Sequence, residues 1–210
     1  MTRRLILSLT FLCALTMTAM AQNARKILDA TAARMTKSGD VSARFKATQY
    51  NGTTPQGNAS GSMLISGRKF KMTTDELITW YDGTTEWSLM KGSNEVNVSS
   101  PTEEEQTAIN PVALVSIYKK GYRFTVKEST LRGRPTYVIY LVAKNAKAAF
   151  SYIIVDVDKA NYDPMCIRAK KGDDWMRLSI LSFQNGLSHP AATFTFPEKD
   201  YPGVEVIDLR

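Results

Sequence analysis

The chain has 210 residues, 43% of them hydrophobic, and a formal charge of +7, which suits one domain with a sizeable core. That charge is a mild excess, and no RNA- or DNA-binding motif accompanies the cluster Lys119, Lys120 and Arg123, so nucleic acid is excluded as a partner. A single histidine and two cysteines leave too few ligands for a zinc cluster and too few parts for a Ser-His-Asp constellation.

Met1 to Arg4 reads as a basic n-region, Leu5 to Met20 as an uncharged apolar core, and Ala19-Met20-Ala21 as a small-residue cleavage site. We therefore expect residues 1–21 to be a removed signal peptide and 22–210 to be one exported domain. Cys13 follows Leu12 rather than a small residue, which argues against lipid modification there. Cys166 is then the only cysteine of the mature chain and cannot form an internal disulfide.

The mature chain begins with a helical pattern from Ala24 to Lys37, with Ile27, Leu28, Thr31 and Met35 on one stripe and Gly39 as a stop. Strand patterns follow. Val41, Ala43, Phe45 and Ala47 alternate with polar residues, and Ala59, Gly61, Met63 and Ile65 do the same, followed by Phe70 and Met72. The Asp82-Gly83 pair between β-prone runs predicts a two-residue hairpin in which Trp80 faces Thr85 and Ile78 faces Trp87. Ile78, Trp80, Trp87 and Leu89 then share one very apolar face.

Ser100-Pro101-Thr102-Glu103 predicts a helix start capped by Ser100. Asn110-Pro111 restarts the helix, Leu114, Val115 and Tyr118 form its stripe, and Gly121 closes it. Strands resume over Tyr122 to Lys127, Thr136 to Ala143, Ser151 to Val157, Met165 to Lys170 and Trp175 to Gln184. Ala192 to Phe196 and then Pro202 to Ile207 read as a last edge strand with a turn. The acidic run Asp156, Asp158, Asn161 and Asp163 lacks the glycine and the terminal glutamate of a calcium loop, so it reads as a hairpin. Ser66-x-x-Lys69 has no companion motif for a serine enzyme. His189 sits before Pro190 in a polar loop.

About ten or eleven strands with one apolar face and only short helices cannot lie flat without exposing a large apolar surface and open edges. Curling into an incomplete, half-open antiparallel barrel, with the helices as a lid, solves both problems and can leave a cavity. Met63, Met72, Met90, Met165 and Met176 suit either deformable cavity contents or an ordinary tight core.

Taken in order, these pieces resemble the LolA-like family of periplasmic outer-membrane lipoprotein carriers. The resemblance spans the mature chain. It rests on the helix leading into Val41-Ser42-Ala43-Arg44-Phe45, on Gly61 to Ile65 followed by Arg68-Lys69-Phe70, and on Asp82-Gly83-x-x-x-Trp87. Asn110-Pro111 and the closing Phe194-Thr195-Phe196-Pro197 and Pro202 to Ile207 complete it. It implies a half-open barrel with a helical lid, no catalysis, no cofactor and no metal.

The resemblance further implies a monomeric periplasmic carrier of acylated lipoproteins. An inner-membrane ABC transporter would load it, and it would deliver to the outer membrane, with a receptor there as a further possible partner. Phe45, Met63, Phe70, Met72, Trp80 and Trp87 are the expected cavity lining, with inward parity open to reversal by a bulge or slip. Ile27, Leu28, Leu114, Val115 and Tyr118 are the expected lid residues. Where the family has Arg-Pro after its second strand this chain has Ser66-Gly67-Arg68-Lys69, so Arg68 is the nearest lid latch. An envelope-stress sensor and a generic periplasmic lipid or glycolipid binder share the fold as alternatives. The sensors carry a second C-terminal domain, and this chain is expected to lack one.

Overall fold

The computed structural model describes residues 22–37, 39–102, 105, 117–119 and 121–210. The expected signal peptide and the lid residues Leu114 and Val115 lie outside these. Residues 22–36 form helix α1, followed by twelve strands. These are β1 (Asp40–Asn51), β2 (Thr54–Ser66), β3 (Lys69–Thr74), β4 (Leu77–Tyr81), β5 (Glu86–Met90) and β6 (Glu95–Ser99). The second half holds β7 (Tyr122–Leu131), β8 (Arg134–Ala143), β9 (Tyr152–Asp158), β10 (Pro164–Lys171), β11 (Asp174–Leu187) and β12 (Glu205–Asp208).

All twelve join one sheet in the order β12-β6-β5-β4-β3-β2-β1-β11-β10-β9-β8-β7. It does not close on itself, and it is a half-open barrel as expected, with more strands than the ten or eleven anticipated. β12 forms the last edge strand expected over Pro202 to Ile207, and it pairs with β6 in parallel while every other pair is antiparallel. Ala191–Phe194 is a short 3-10 turn rather than the strand that its alternation suggested. Buried Phe194 is half of that pattern, and a single anchored aromatic mimics a strand over so short a run.

The apolar stripe of α1 packs on the inner side of the sheet. Ile27 and Leu28 join Ile139, Leu141, Ile153, Val155 and Ile167 in the main core. Tyr118, in the turn Ile117–Lys119, is buried in the same core and donates its hydroxyl to Asp29 on α1. Burial first, and then the Asp29 carboxylate, push the Tyr118 phenol well above its ordinary range. These three expected lid residues are thus fastened inside the half-barrel.

The Asp-Gly hairpin differs in register. Trp80 pairs with Trp87 and Ile78 with Leu89, so the loop runs from Asp82 to Thr85. Asp82 explains it, because its Oδ1 accepts the amides of Thr84 and Thr85 at 2.9 Å and builds the turn from a side chain. The slip is two residues in total, so Ile78, Trp80, Trp87 and Leu89 still share a face. The helix cap also moves. Thr102 and Glu105 form the reciprocal capping box, in place of Ser100.

Candidate functional site: an apolar cavity on the inner face

The inner side of β1, β2, β3 and β11 encloses a cavity of about 390 Å³, towards the lower end of the roughly 300–1,000 Å³ typical of ligand sites. Alternation supplies its walls. Val41, Ala43, Phe45 and Ala47 come from β1, Met63 and Ile65 from β2, Met72 from β3, and Met176, Leu178 and Ile180 from β11. Met35 from α1 and Pro164 from β10 cover one end. Thr74, the exposed Glu76 and the half-exposed Met90 form the rim at the other end, which places the polar groups at the mouth. Five methionines line the space, and their unbranched, polarisable side chains can repack around contents of changing shape.

Two bulges aim these walls. On β11 the partner of Arg44 is Ser182 and that of Phe45 is Ile180, so Leu181 is skipped and turned outward at 53% exposure. The bulge lets Ile180 and Phe183, which are three residues apart, both face the cavity. Met165 is skipped in the same way between β9 and β10. The skipped region leaves carbonyls outside the ladder, and Arg132 Nη2 donates to both, at 2.7 Å to Ile180 and 3.0 Å to Met165. Arg132 can reach them because it sits at φ +52° in the tight β7–β8 turn, followed by Gly133 at +75°.

The expected lining divides into three groups. Phe45, Met63 and Met72 lie in the cavity wall. Phe70 is on the same face but is fully buried beneath it, tilted against Tyr81 at a ring separation of 5.4 Å. Trp80 and Trp87 are a correction, because they lie on the outer face. Met72 pairs with Thr79 and Lys71 with Trp80, so the tryptophans share the side of Lys71, whose ammonium sits 5.4 Å from the Trp80 ring centre. Phe196, Tyr201 and Val204 from the C-terminal segment cover them, with Trp80 edge-on to Phe196 at 5.4 Å and to Tyr201 at 5.9 Å.

By the same parity the inner side of β4 and β5 carries Thr79, Ser88 and Glu86 alongside the apolar Leu77, Tyr81 and Met90. Thr79 and Ser88 share a hydrogen bond of 3.3 Å, and the Ser88 hydroxyl donates to Glu86. Glu86 Oε2 is buried without a partner among the described residues, and burial pushes the Glu86 carboxyl above its ordinary value.

Several walls were missed from sequence. Met35, Leu178, Ile180 and Phe183 are the main ones. The β11 residues break period-two spacing at the bulge, and the only available signal was the alternation of Met176, Leu178 and Ile180. Arg68 lies exposed in the β2–β3 turn, at the opposite end of β2 from the Glu76 rim, with no polar partner among the described residues. Of the lid it was expected to hold, Leu114 and Val115 lie outside those residues.

His189 is less isolated than its loop position suggests. Asp40 Oδ2 accepts its backbone amide at 2.7 Å and lies 3.0 Å from Nδ1. Burial pushes the Asp40 carboxyl up, but hydrogen bonds from Ser66 and His189 outweigh it and leave the group below its ordinary value. The aspartate sits between serine and histidine, so the trio ties the loop after β11 to β1 and has no activated hydroxyl. Asp156, Asp158 and Asp163 pair with Arg168, Arg134 and Arg34, as befits a structural hairpin. No cluster of metal-binding side chains occurs among the described residues.

An open antiparallel sheet wrapped round an apolar, methionine-lined cavity defines a binding fold that generally performs no catalysis. The profile of the outer membrane lipoprotein carrier protein LolA family matches residues 14–173, and the chain belongs to that family. At family level this is a LolA-superfamily binding protein of the bacterial envelope. No curated protein matches it by sequence.

The fold recurs in a solved structure. An uncharacterised conserved protein from Thermus thermophilus is similar at a TM-score of 0.59 and 11% identity, over 89% of this chain and 99% of that one. A LolA superfamily protein from Nitrosomonas europaea gives 0.44 and 10%, over 83% and 98%. MucB of Pseudomonas aeruginosa, solved with MucA, gives 0.47 and 10%, over 84% of this chain and 62% of that one.

Proposed function

We propose that residues 1–21 direct export and that the mature chain, starting at Gln22, carries acylated lipoproteins through the periplasm in the inner-face cavity. The observation that supports this reading is the cavity wall itself: Phe45, Met63, Met72 and Met176 around an interior with polar groups only at its rim. Each methylene withdrawn from water contributes ~0.8 kcal/mol, so one long acyl chain gains on the order of ten kcal/mol. The relevant comparison is a bilayer, because the cargo leaves one membrane and enters another. Exchange between two apolar surroundings is nearly balanced, so a carrier needs only to approximate the membrane interior. An inner-membrane ABC transporter would load it and an outer-membrane acceptor would unload it.

The lid role of Leu114 and Val115 and the latch role of Arg68 belong to the same proposal. Arg68→Leu should disturb loading or release of cargo severely and Arg68→Lys in part, whereas normal loading and normal release would place the latch elsewhere.

Mass spectrometry of lipid extracted from gently purified protein tests the reading. It predicts acylated peptide or lipoprotein. Free glycolipid would make the protein a generic lipid binder, and protein that stays empty when offered a lipopeptide would remove the carrier role.

A further inference from the structure

The β2 strand is twice as long as the partner on its outer side. It pairs with β1 from Thr54 to Ile65, but β3 reaches it only between Gly61 and Ser66. At Gly61 the Thr73 carbonyl oxygen lies 2.2 Å from where a Cβ would stand, and β3 ends one residue later at Thr74. From Thr54 to Ser60 every residue is exposed, and no other described strand pairs with that edge. On a strand paired on one side, every second residue turns its amide and carbonyl to the open side. The cavity meets this edge directly, because Ala59 lines the cavity and lies within the unpaired stretch.

Free edges are normally protected by charge. The two outermost strands of the sheet follow that rule: β7 carries Arg123, Lys127 and Glu128, and β12 carries Glu205 and Asp208. Between Lys46 and Arg68 there is no charged residue at all, in a chain where 22% of residues are charged. Pro55 blunts only the tip. β11 has a similar uncharged half-edge beyond Ser179, but Arg132 donates to its Ile180 carbonyl and its Asn185 side chain bonds the Arg34 carbonyl of α1, so among the described residues 54–60 is the half-edge without such cover.

We propose that residues 54–60 of β2 bind the extended peptide segment of the acylated cargo by strand addition. This rests on the carrier reading, and it adds a second, peptide-recognising part to the same site. An acyl group in the cavity is attached to a polypeptide that must leave past Ala59 and Glu76, and the nearest backbone template is this edge. Strand addition reads main chain rather than side chains, which allows one carrier to accept cargo of many sequences. Tethering makes the second contact effectively intramolecular, so even a weak pairing adds to affinity.

The probe is a short dipalmitoyl-cysteinyl peptide, compared with palmitic acid and with the same peptide lacking acyl groups, all on the full mature protein. Amide hydrogen exchange should slow within residues 54–60 with the lipopeptide and stay unchanged with palmitic acid. N-methylation of alternate peptide amides should weaken lipopeptide binding about tenfold in one register and leave it unchanged in the other. Lipopeptide binding with no protection at 54–60 and equal tolerance of both methylated series would overturn the strand-addition proposal alone. Failure of both the lipopeptide and palmitic acid to bind would bring down the carrier reading and this proposal with it. Concentration-dependent dimerisation through 54–60 in the absence of lipopeptide would give the edge to a second copy and also overturn it.

Discussion

Two stretches of the same sheet treat their faces in opposite ways. In β1, β2, β3 and β11 the apolar residues point inward and surround an open cavity. In β4, β5 and β6 a second apolar group points outward, where Trp80, Leu89 and Val96 are sealed by Phe196, Tyr201 and Val204, while Leu77, Tyr81 and Met90 face in. The change occurs between adjacent strands, since Phe70 and Met72 face in while Trp80 faces out. One apolar face is permanently closed by the protein's own C-terminal segment, and the other is left available. The division separates a sealed core from an open cavity within one sheet, and each can be perturbed alone.

The largest expected effect is at the closed face. Trp80 is 1% exposed, and Trp80→Ala should cost ~3–5 kcal/mol of stability, measured by denaturant unfolding, with acyl-probe affinity unchanged in the folded fraction. Loss of affinity at unchanged stability would break the comparison. At the open face the pattern should invert. Met72→Glu places a charge in the cavity wall and should weaken binding of a dipalmitoyl probe at least about a hundredfold, with only a small change in stability because Met72 is half-buried.

Arg132 sharpens the comparison, because it holds the two bulges that turn β10 and β11 toward the cavity. Arg132→Leu should cost about 1.5–3 kcal/mol, the low end applying because the side chain is partly solvated, and Arg132→Lys should recover part of it. The smallest effect is at the polar inner side of β5. The Glu86 carboxyl is raised above its ordinary 4.5, so stability present below that pH is lost as pH rises through the folded value. Glu86→Gln should therefore raise the melting temperature at pH 7 and change it little at pH 4. An equal change at both values would show that Glu86 meets no desolvation penalty.

The sequence was informative about which residues share a face and much less about which face is covered. Ile78, Trp80, Trp87 and Leu89 were grouped correctly even though the hairpin register was two residues out, because an even slip preserves parity. Their direction depended on Phe196 and Tyr201, more than a hundred residues away in the chain, and no local pattern encodes that contact. Strand alternation made the β1 wall and Met63 legible. Ile180 and Phe183 were hidden because the bulge at Leu181 breaks period two. Arg132 was invisible as a support, since only the fold brings its turn near two orphan carbonyls. The family resemblance was readable from the order of weak motifs, each uninformative alone.

A measurement made on the methionine methyl groups tests the central claim most directly. The described residues include Met35, Met63, Met72, Met90 and Met176 in the cavity wall, and Met165 outside it. With methyl-labelled methionine and a dipalmitoyl-cysteinyl peptide as titrant, the first five resonances should shift together while that of Met165 stays in place. Trp80, Trp87 and Trp175 all lie on the outer face, so tryptophan emission should not follow the titration. Shifts at Met165 or in tryptophan emission, with the five wall methionines unmoved, would contradict an inner-face acyl site.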